Sequence, residues 1–243
     1  DVTNEMTIAR EEIFGPVLHI ATFKGTEIDR VIDTINATGY GLTFGLHTRI
    51  DDRVQTIIER ITAGNIYVNR DQIGAVVGSQ PFGGEGLSGT GPKAGGPHYL
   101  PRFTKNPAPT AAGHWANGTN LKSLQDRLSS AITPKQPAPI ALPGPTGESN
   151  RHSLPPRGPI LCMGPGAQAA QDQIAAVAAL GGTGISAEGA LAPDKLTALA
   201  PIGGVIWWGD TDTGRAIETA LSQRAGPITA LITGTPDTAH VLH

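Results

Sequence analysis

The first third of the chain alternates short apolar runs with stretches in which apolar residues return every three or four positions. The apolar runs cover residues 17–23, 42–48 and 65–69, and each has a length typical of a buried strand. Two amphipathic helices are predicted between them, one over residues 26–37 and one that begins at Asp51. Their apolar stripes are Ile28, Val31, Ile32 and Ile35 in the first, and Val54, Ile57, Ile58 and Ile61 in the second. This alternating order predicts right-handed crossovers and a parallel sheet with helices on its faces.

A second alternating pattern begins near residue 158. Strands are predicted at residues 160–163, 183–187, 204–208 and 228–233, and helices at residues 167–180, 193–199 and 213–224. We therefore expect a Rossmann-like α/β domain over residues 158–243.

Prolines crowd the region between the two patterns. They stand at positions 134, 137, 139, 143, 145, 155, 156 and 159. Because proline removes a backbone donor and fixes φ, residues 133–159 are predicted to be an extended linker with no packed secondary structure of their own. A short helix fits residues 120–131, where Leu121, Leu124 and Leu128 fall on one face. The predicted domains are residues 1–105, a linker over residues 106–157, and residues 158–243.

Composition narrows the class of protein. At 243 residues the chain can hold one large or two small domains, and 32 glycines and 20 prolines predict a large share of loops. A formal charge of −3 gives no electrostatic footprint for nucleic acid or an anionic membrane. No apolar run approaches the roughly 20 residues that span a bilayer, and the first residues lack the features of a secretory signal. We therefore expect a cytoplasmic protein.

Metal-binding residues are sparse in the sequence. The single cysteine, Cys162, excludes an internal disulfide framework and a multi-cysteine metal site. The seven histidines show no HxxxH or HxH spacing, so no metal is predicted.

Residues 74–97 form a long glycine-rich stretch, GAVVGSQPFGGEGLSGTGPKAGGP, that cannot build a packed helix. Glycine lets the backbone approach a ligand closely and leaves N–H groups unobstructed, so successive amides can converge on an anion such as a carboxylate. The stretch follows the third predicted strand, and ligands of parallel α/β sheets gather beyond the carboxyl ends of the strands. A floppy surface connection is the alternative for such a sequence.

Three separated motifs accompany this stretch. They are EEIFGPV at residues 11–17, GNIYVNR at residues 64–70 and PFGG at residues 81–84. Their order and spacing resemble the C-terminal end of the aldehyde dehydrogenase superfamily. The extension SGTGPKAGGP at residues 88–97 is similar to the L-glutamate γ-semialdehyde (1-pyrroline-5-carboxylate) dehydrogenase branch, and within it to the bifunctional proline-utilisation (PutA) family. Because the chain lacks a starting methionine and begins at a motif late in the family's order, we expect a fragment.

The resemblance implies roles for five residues. Glu12 is expected to accept hydrogen bonds from the ribose of the nicotinamide half of NAD, and Phe14 to pack near it. Gly74 and Ala75 are expected to offer backbone amides to the α-carboxylate of the substrate. Phe82 is expected to line the aliphatic chain of the substrate.

Three polar residues near these positions are interpreted as structural. Asn69, at the end of the third predicted strand, is expected to tie down neighbouring loop backbone. Ser88 and Lys93 have nothing titratable between them, so we interpret both as loop hydrogen-bonders rather than as an acid–base pair.

The catalytic machinery of the superfamily is expected to lie outside this chain. Aldehyde oxidation by its route needs a thiolate nucleophile, a general base and an oxyanion donor. Cys162 lies in an apolar predicted strand, after the motifs that should follow the nucleophile, and such a cysteine is usually an inert hydrophobe. We therefore expect the nucleophile, the base and the family's cofactor domain to lie N-terminal to Asp1, and this chain alone to be inactive.

A second candidate cofactor site is the GPGAQA turn at residues 164–169, between a predicted strand and a predicted helix. Glu188 stands near the end of the next strand, where an acidic residue can accept hydrogen bonds from ribose hydroxyls. Pro165 argues against this site because it removes a phosphate-binding N–H. The domain also resembles the C-terminal domain of long PutA proteins, which looks like a degenerate copy of the nucleotide domain.

Two functions follow from these observations. The first is the C-terminal part of an NAD-dependent L-glutamate γ-semialdehyde dehydrogenase in proline catabolism, whose parent carries FAD in a separate proline dehydrogenase module. The alternative is a non-catalytic structural or assembly domain with a degenerate nucleotide fold. The resemblance implies the semialdehyde substrate, the remainder of the parent polypeptide and a second copy of the protein in a homo-oligomer as partners, with no nucleic acid and no membrane span.

Overall fold

The computed structural model describes residues 13–104, 109 and 111–242. Contacts along the backbone divide the chain into two compact units. The first comprises Asp1–Ile73 and Gly84–Gly89, and the second comprises Gly74–Gly83 and Thr90–His243. The predicted boundary at residue 105 was drawn from the extent of the family resemblance and that at residue 157 from the proline-rich composition, and both stay a prediction.

The first unit packs two helices on a pair of parallel strands. Its elements are α1 (Ile28–Ala37), β1 (Tyr40–Gly41), β2 (Thr43–Leu46), α2 (Asp51–Ile58), β3 (Asn65–Val68) and β4 (Glu85–Gly86). Strand β2 pairs with β3 in parallel and α2 is the crossover between them, whereas β1 and β4 pair antiparallel. Ile32, Ile57 and Ile61 form the core, because the apolar stripes of both helices face the strands. Both predicted helices and the β2–α2–β3 unit are confirmed.

The predicted strand at residues 17–23 is wrong. None of the described residues before Gly25 belongs to a strand, and Val17, Leu18 and Phe23 are 51%, 82% and 51% exposed. An apolar run indicates a tendency to be buried, but a strand also needs a neighbouring strand to hydrogen-bond with. None of the strands in the described part of the chain pairs with this run.

The second unit is built on a four-stranded parallel sheet. Its elements are α3 (Leu121–Ser129), β5 (Ile140–Leu142), β6 (Asn150–His152), β7 (Ile160–Cys162), α4 (Gly166–Ala179), β8 (Gly184–Ser186), β9 (Gly204–Ile206), α5 (Thr211–Ser222), β10 (Leu231–Ile232) and α6 (Thr238–Val241). The strand order is β10-β9-β7-β8. The connection after β7 therefore leads to one side of the sheet, to β8, and the connection after β9 leads to the other side, to β10. This is the doubly wound arrangement of a Rossmann-like fold, and the predicted α/β class is confirmed. The helix predicted at residues 193–199 is a 3-10 helix over Pro193–Ala198.

The proline-rich region contains secondary structure, contrary to prediction. Strands β5 and β6 form an antiparallel hairpin in which Ile140 lies opposite His152, and the Asn150 side chain donates to the Pro143 carbonyl over 3.0 Å. Prolines 139 and 143 flank β5 rather than interrupt it, so the paired residues keep their backbone donors.

Helix α3 belongs to the core of the second unit. Leu124 and Leu128 are 0% and 3% exposed and pack in one cluster with residues of β7 and α5. The side-chain oxygen of Asn120 caps the helix by accepting a hydrogen bond from the Ser123 amide over 3.0 Å. Part of the region that the sequence assigns to a linker is therefore an integral part of the sheet domain.

Candidate functional site

The glycine-rich stretch is a hydrogen-bonded loop rather than a floppy connection. In the second unit, residues 74–83 run antiparallel to residues 90–97, and we call these two segments the paired loop. The Phe82 amide donates to the Ala94 carbonyl over 3.0 Å, and the Ala94 amide donates back over 2.8 Å. The two segments therefore fix each other's backbone.

Lys93 holds the two segments of the paired loop together. Its ammonium donates to the Gly83 carbonyl over 2.8 Å. A Cβ at Gly83 would lie 3.2 Å from both Cα and Cγ of Lys93, so the close approach favours glycine there. The interpretation of Lys93 as a loop hydrogen-bonder is confirmed.

Gly74 and Ala75 lead into a tight turn of the paired loop. Gly74 has a φ of 141°, a value that favours glycine. The turn is closed by two bonds between Val76 and Gln80, of 3.2 and 2.8 Å. Ala75 is exposed, and its amide has no acceptor within the described part of the chain. Ala75 thus directly precedes the hydrogen-bonded Val76–Gln80 turn, and no acceptor among the described residues occupies its N–H.

Phe82 lies in the same loop, seven residues beyond Ala75. It is half-buried, and the residue before it, Pro81, is buried. Its backbone pairing with Ala94 fixes where the side chain leaves the loop. The structure thus brings Gly74, Ala75 and Phe82 into one folded segment.

The middle of the glycine-rich stretch, Gly84–Gly89, packs in the first unit. The Ser88 hydroxyl accepts a hydrogen bond from the Gly41 amide over 3.0 Å. A Cβ at Gly84 would lie 2.5 Å from the Ser88 carbonyl oxygen, so only glycine fits without a backbone shift. The interpretation of Ser88 as a loop hydrogen-bonder is also confirmed.

Asn69 ends β3 in a left-handed conformation, with a φ of 56°. Its side-chain oxygen accepts from the Thr48 amide over 2.9 Å and so ties the loop after β2 to the end of β3. Asparagine tolerates positive φ better than most residues, which suits it to this position. The predicted structural role is confirmed.

Of the two residues expected to contact NAD, only Phe14 is among the described residues. Glu12 lies outside the described residues. Phe14 belongs to the first unit and is 98% exposed. Its exposed ring leaves a full aromatic face for a ligand or for another part of a protein.

The GPGAQA turn connects β7 to α4 as predicted, but its polar groups have internal partners. The buried Gln173 side chain donates to the Gly164 carbonyl over 2.7 Å and accepts from the Gly164 amide over 3.0 Å. Glu188, the predicted ribose partner, has a φ of 51° and forms a 3.1 Å ion pair with Arg127. Sequence inspection missed Gln173, because a glutamine on a helix gives no sign that it reaches back to the turn.

Cys162 is a core residue of β7. It is 0% exposed, and its Sγ lies 3.7 Å from the Ile160 carbonyl. Burial raises the pKa of the thiol to about 12, so the thiolate needed for attack on a carbonyl does not form near neutral pH.

A charged cluster joins Arg102, which follows the paired loop in the chain, to Asp237 and His240 at α6. Arg102 contacts Asp237 at 3.2 Å and the His240 ring at 2.9 Å. Arg157 donates to the Thr90 carbonyl over 2.7 Å. These pairs are separated by 67 to 138 residues, so no local sequence signal could have found them.

Two further features can be stated for residues 13–104, 109 and 111–242. They contain no group of three or more histidine, cysteine, aspartate or glutamate side chains arranged to hold a metal ion. None of their helices combines the length and apolar character needed to cross a bilayer.

Comparisons with known proteins place the chain among its relatives. Residues 1–107 match the aldehyde dehydrogenase family. The bifunctional protein PutA of Rhizobium meliloti is 38% identical over 251 residues, which cover 90% of this chain and 20% of PutA. A 1-pyrroline-5-carboxylate dehydrogenase of Bacillus subtilis (strain 168) is 45% identical over 100 residues, or 41% of this chain and 19% of that protein. The chain thus spans about a fifth of the length of these relatives.

A solved structure gives the same fold over nearly the whole chain. Proline utilization A from Corynebacterium freiburgense superposes with a TM-score of 0.55 at 20% identity, covering 99% of this chain and 26% of that protein. At this identity the likeness concerns the fold alone.

Proposed function

We propose that this chain is part of an NAD-dependent L-glutamate γ-semialdehyde dehydrogenase. The premise is that residues 1–107 belong to the aldehyde dehydrogenase family and that the chain is PutA-like over most of its length. The intact protein would oxidise the semialdehyde to L-glutamate in proline catabolism. In this proposal residues 1–105 end the dehydrogenase domain and residues 158–243 form an accessory domain. Residues 106–157 link the two and contribute α3 to the core of the accessory domain.

The observation that carries this proposal is the paired loop with its open Ala75 amide. A carboxylate is bound well by backbone N–H groups that are fixed before the ligand arrives, since no ordering is then needed on binding. Gly74 has a φ of 141°, which favours glycine at the position before Ala75. Phe82, on the same loop, would supply the apolar wall for the three-carbon chain between the carboxylate and the aldehyde.

The substrate anchor would work by position and not by chemistry of its own. A carboxylate held at Ala75 fixes one end of the semialdehyde, so the aldehyde carbon at the other end reaches a defined point. Orientation of this kind converts binding energy into rate when the reacting groups lie at that point. We propose that the nucleophile and the base come from upstream sequence, and the buried, high-pKa Cys162 supports this assignment.

NAD, when bound, supplies the hydride acceptor for this oxidation. Glu12 and Phe14 are the residues of this chain proposed to contact its nicotinamide ribose. A carboxylate suits the two hydroxyls of a ribose, and the exposed ring of Phe14 fits a residue that packs against a bound molecule. FAD belongs, in this proposal, to a separate module of the parent.

The second half of the chain favours a structural role, the alternative function. The Gly164 backbone groups and Glu188 are already committed to protein partners. The Arg157 side chain donates to the Thr90 carbonyl of the paired loop, and Arg102, which follows that loop in the chain, forms an ion pair with Asp237. We therefore propose that this half supports the loop, within a cytoplasmic homo-oligomer, rather than carrying out chemistry.

Activity of the chain with and without upstream sequence tests the proposal. The purified chain, mixed with L-glutamate γ-semialdehyde and NAD, should form no NADH, measured by absorbance. The same chain preceded by the upstream part of a PutA dehydrogenase domain should form NADH at a rate that depends on the semialdehyde concentration. Turnover by the chain alone would contradict the assignment of the nucleophile, and no turnover by the extended polypeptide would contradict the proposed activity.

A further inference from the structure

The sheet of the second unit has a crevice at the carboxyl ends of β7 and β9. These neighbouring strands send their following connections to opposite sides, and ligands of doubly wound folds bind at such a point. In a dinucleotide-binding fold the pyrophosphate lies against the first strand–helix turn, which here is the turn from β7 to α4.

Residues 111–119 of the same chain cross this crevice, and we call them the docked segment. The Ala111 amide donates to the Trp208 carbonyl over 3.2 Å, at the end of β9. The Trp115 indole donates to the Met163 carbonyl over 2.9 Å, at the end of β7. The Trp115 and Ala111 side chains also pack against the core cluster below.

The docked segment continues past the end of β8. The Ala190 amide donates to the Asn117 carbonyl over 2.9 Å, and the Thr119 amide donates to the Ala190 carbonyl over 3.0 Å. These two bonds form a parallel bridge between Gly118 and Ala190. The segment thus follows β9, β7 and β8 in order, which is the course of a dinucleotide across such a sheet.

Glycines on both sides of the contact allow this close approach. A Cβ at Gly166, which begins α4, would lie 3.1 Å from both the nitrogen and the oxygen of His114. A Cβ at Gly189 would lie 2.5 Å from the Thr119 nitrogen, and one at Gly113 would lie 2.8 Å from the Pro165 oxygen. The glycines of the turn therefore make room for a peptide, where the sequence pattern suggested room for a phosphate.

We propose that this crevice is a peptide-binding site whose occupant is the chain's own residues 111–119, in place of a dinucleotide. The site recognises an extended segment by backbone hydrogen bonds beyond the ends of β9 and β8, and by the Trp115 indole at the end of β7. Binding of the segment fixes the chain between the paired loop and α3. The inference does not rest on the proposed dehydrogenase function.

The unmodified chain provides the first test. The exchange of the Trp115 indole proton with solvent, measured by NMR, should be slowed about as much as that of Trp208, whose indole donates to the Gly234 carbonyl over 3.0 Å. Millimolar NAD should leave the amide resonances of Gly164, Gly166 and Ala167 unchanged. Saturable shifts of these resonances with NAD, or a freely exchanging Trp115 indole, would overturn the proposal.

A matched pair of glycine variants provides the second test. Gly113→Ala adds a methyl group against the Pro165 oxygen at 2.8 Å, whereas at Gly118 the nearest atom is the Ala190 oxygen at 3.9 Å. Gly113→Ala should speed exchange of the Trp115 indole about tenfold or more, as overpacking predicts, and leave the Trp208 indole unchanged. Gly118→Ala should change neither. Equal exchange of the Trp115 indole proton in the two variants would overturn the proposal. If Gly113→Ala does not fold, the exchange and NAD measurements on the unmodified chain decide.

Discussion

Replacing Leu124 by alanine tests whether α3 belongs to the sheet domain or to a linker. Leu124 is 0% exposed and lies in the main core cluster, whereas Leu121, on the same helix, is 39% exposed. Leu→Ala at a fully buried site costs about 3 kcal/mol or more, through lost burial and the cavity that remains. The same change at Leu121 should cost less than about 1 kcal/mol.

Urea unfolding followed by tryptophan fluorescence measures both changes. All three tryptophans, at positions 115, 207 and 208, lie in the second unit, so the signal reports on that unit alone. With a slope of about 2 kcal/mol per M, Leu124→Ala should lower the midpoint by about 1.5 M and Leu121→Ala by less than about 0.5 M. Similar midpoints for the two variants would refute the assignment of α3 to the core.

Three further predictions follow from single contacts. Cys162, with its pKa raised by burial to about 12, should react with a thiol reagent only as fast as the second unit unfolds; rapid labelling of the folded chain would contradict its burial. Burial first, and then the Arg102 charge, lower the pKa of His240 to about 4. Since the folded pKa lies below the unfolded value, His240 stabilises the second unit above pH 6.5, and up to about 3 kcal/mol is lost as the pH falls from 6.5 towards 4. His240→Gln should remove this part of the pH dependence of the urea midpoint, and an unchanged pH profile would be inconsistent with it. Asn69→Ala should speed exchange of the Thr48 amide about fivefold or more, because the variant loses the acceptor at 2.9 Å and strains a φ of 56°, whereas Asn69→Asp should keep most of the protection.

The helices and the parallel strand pairs could be predicted because their signal is local. The stripe that includes Ile32 and the stripe that includes Ile57 each repeat at the helical period, and both stripes meet in one core. The apolar run at residues 17–23 carries an equally local signal. Whether it forms a strand, however, depends on a second strand to pair with, and the periodicity of the run gives no information about that. Prolines 139 and 143 led to a strand being missed, because they border a hairpin whose pairing is not reported by the local sequence either.

In the candidate site, too, local sequence signals were predictive and contacts between distant residues were not. Gly74, Ala75 and Phe82 lie within nine residues, and the family resemblance is what proposes them together as substrate contacts. The occupant of the GPGAQA turn was missed, because glycine indicates that something approaches closely without indicating what. Trp115 and Met163 are 48 residues apart, and only the folded chain shows that the approaching group is a peptide.

The Michaelis constant of the intact dehydrogenase carrying Ala75→Pro tests the central claim most directly. Proline at position 75 removes the N–H proposed to bind the α-carboxylate. Val77→Pro is the control, since Val77 is 85% exposed, follows Val76 in the same turn, and also has an amide without an acceptor among the described residues. Loss of a hydrogen bond to a charged group predicts about a tenfold or greater rise in KM for L-glutamate γ-semialdehyde. KM for a short aldehyde without a carboxylate should stay unchanged, as should both values in the control. An equal rise for both aldehydes, or none for the semialdehyde, would contradict the account.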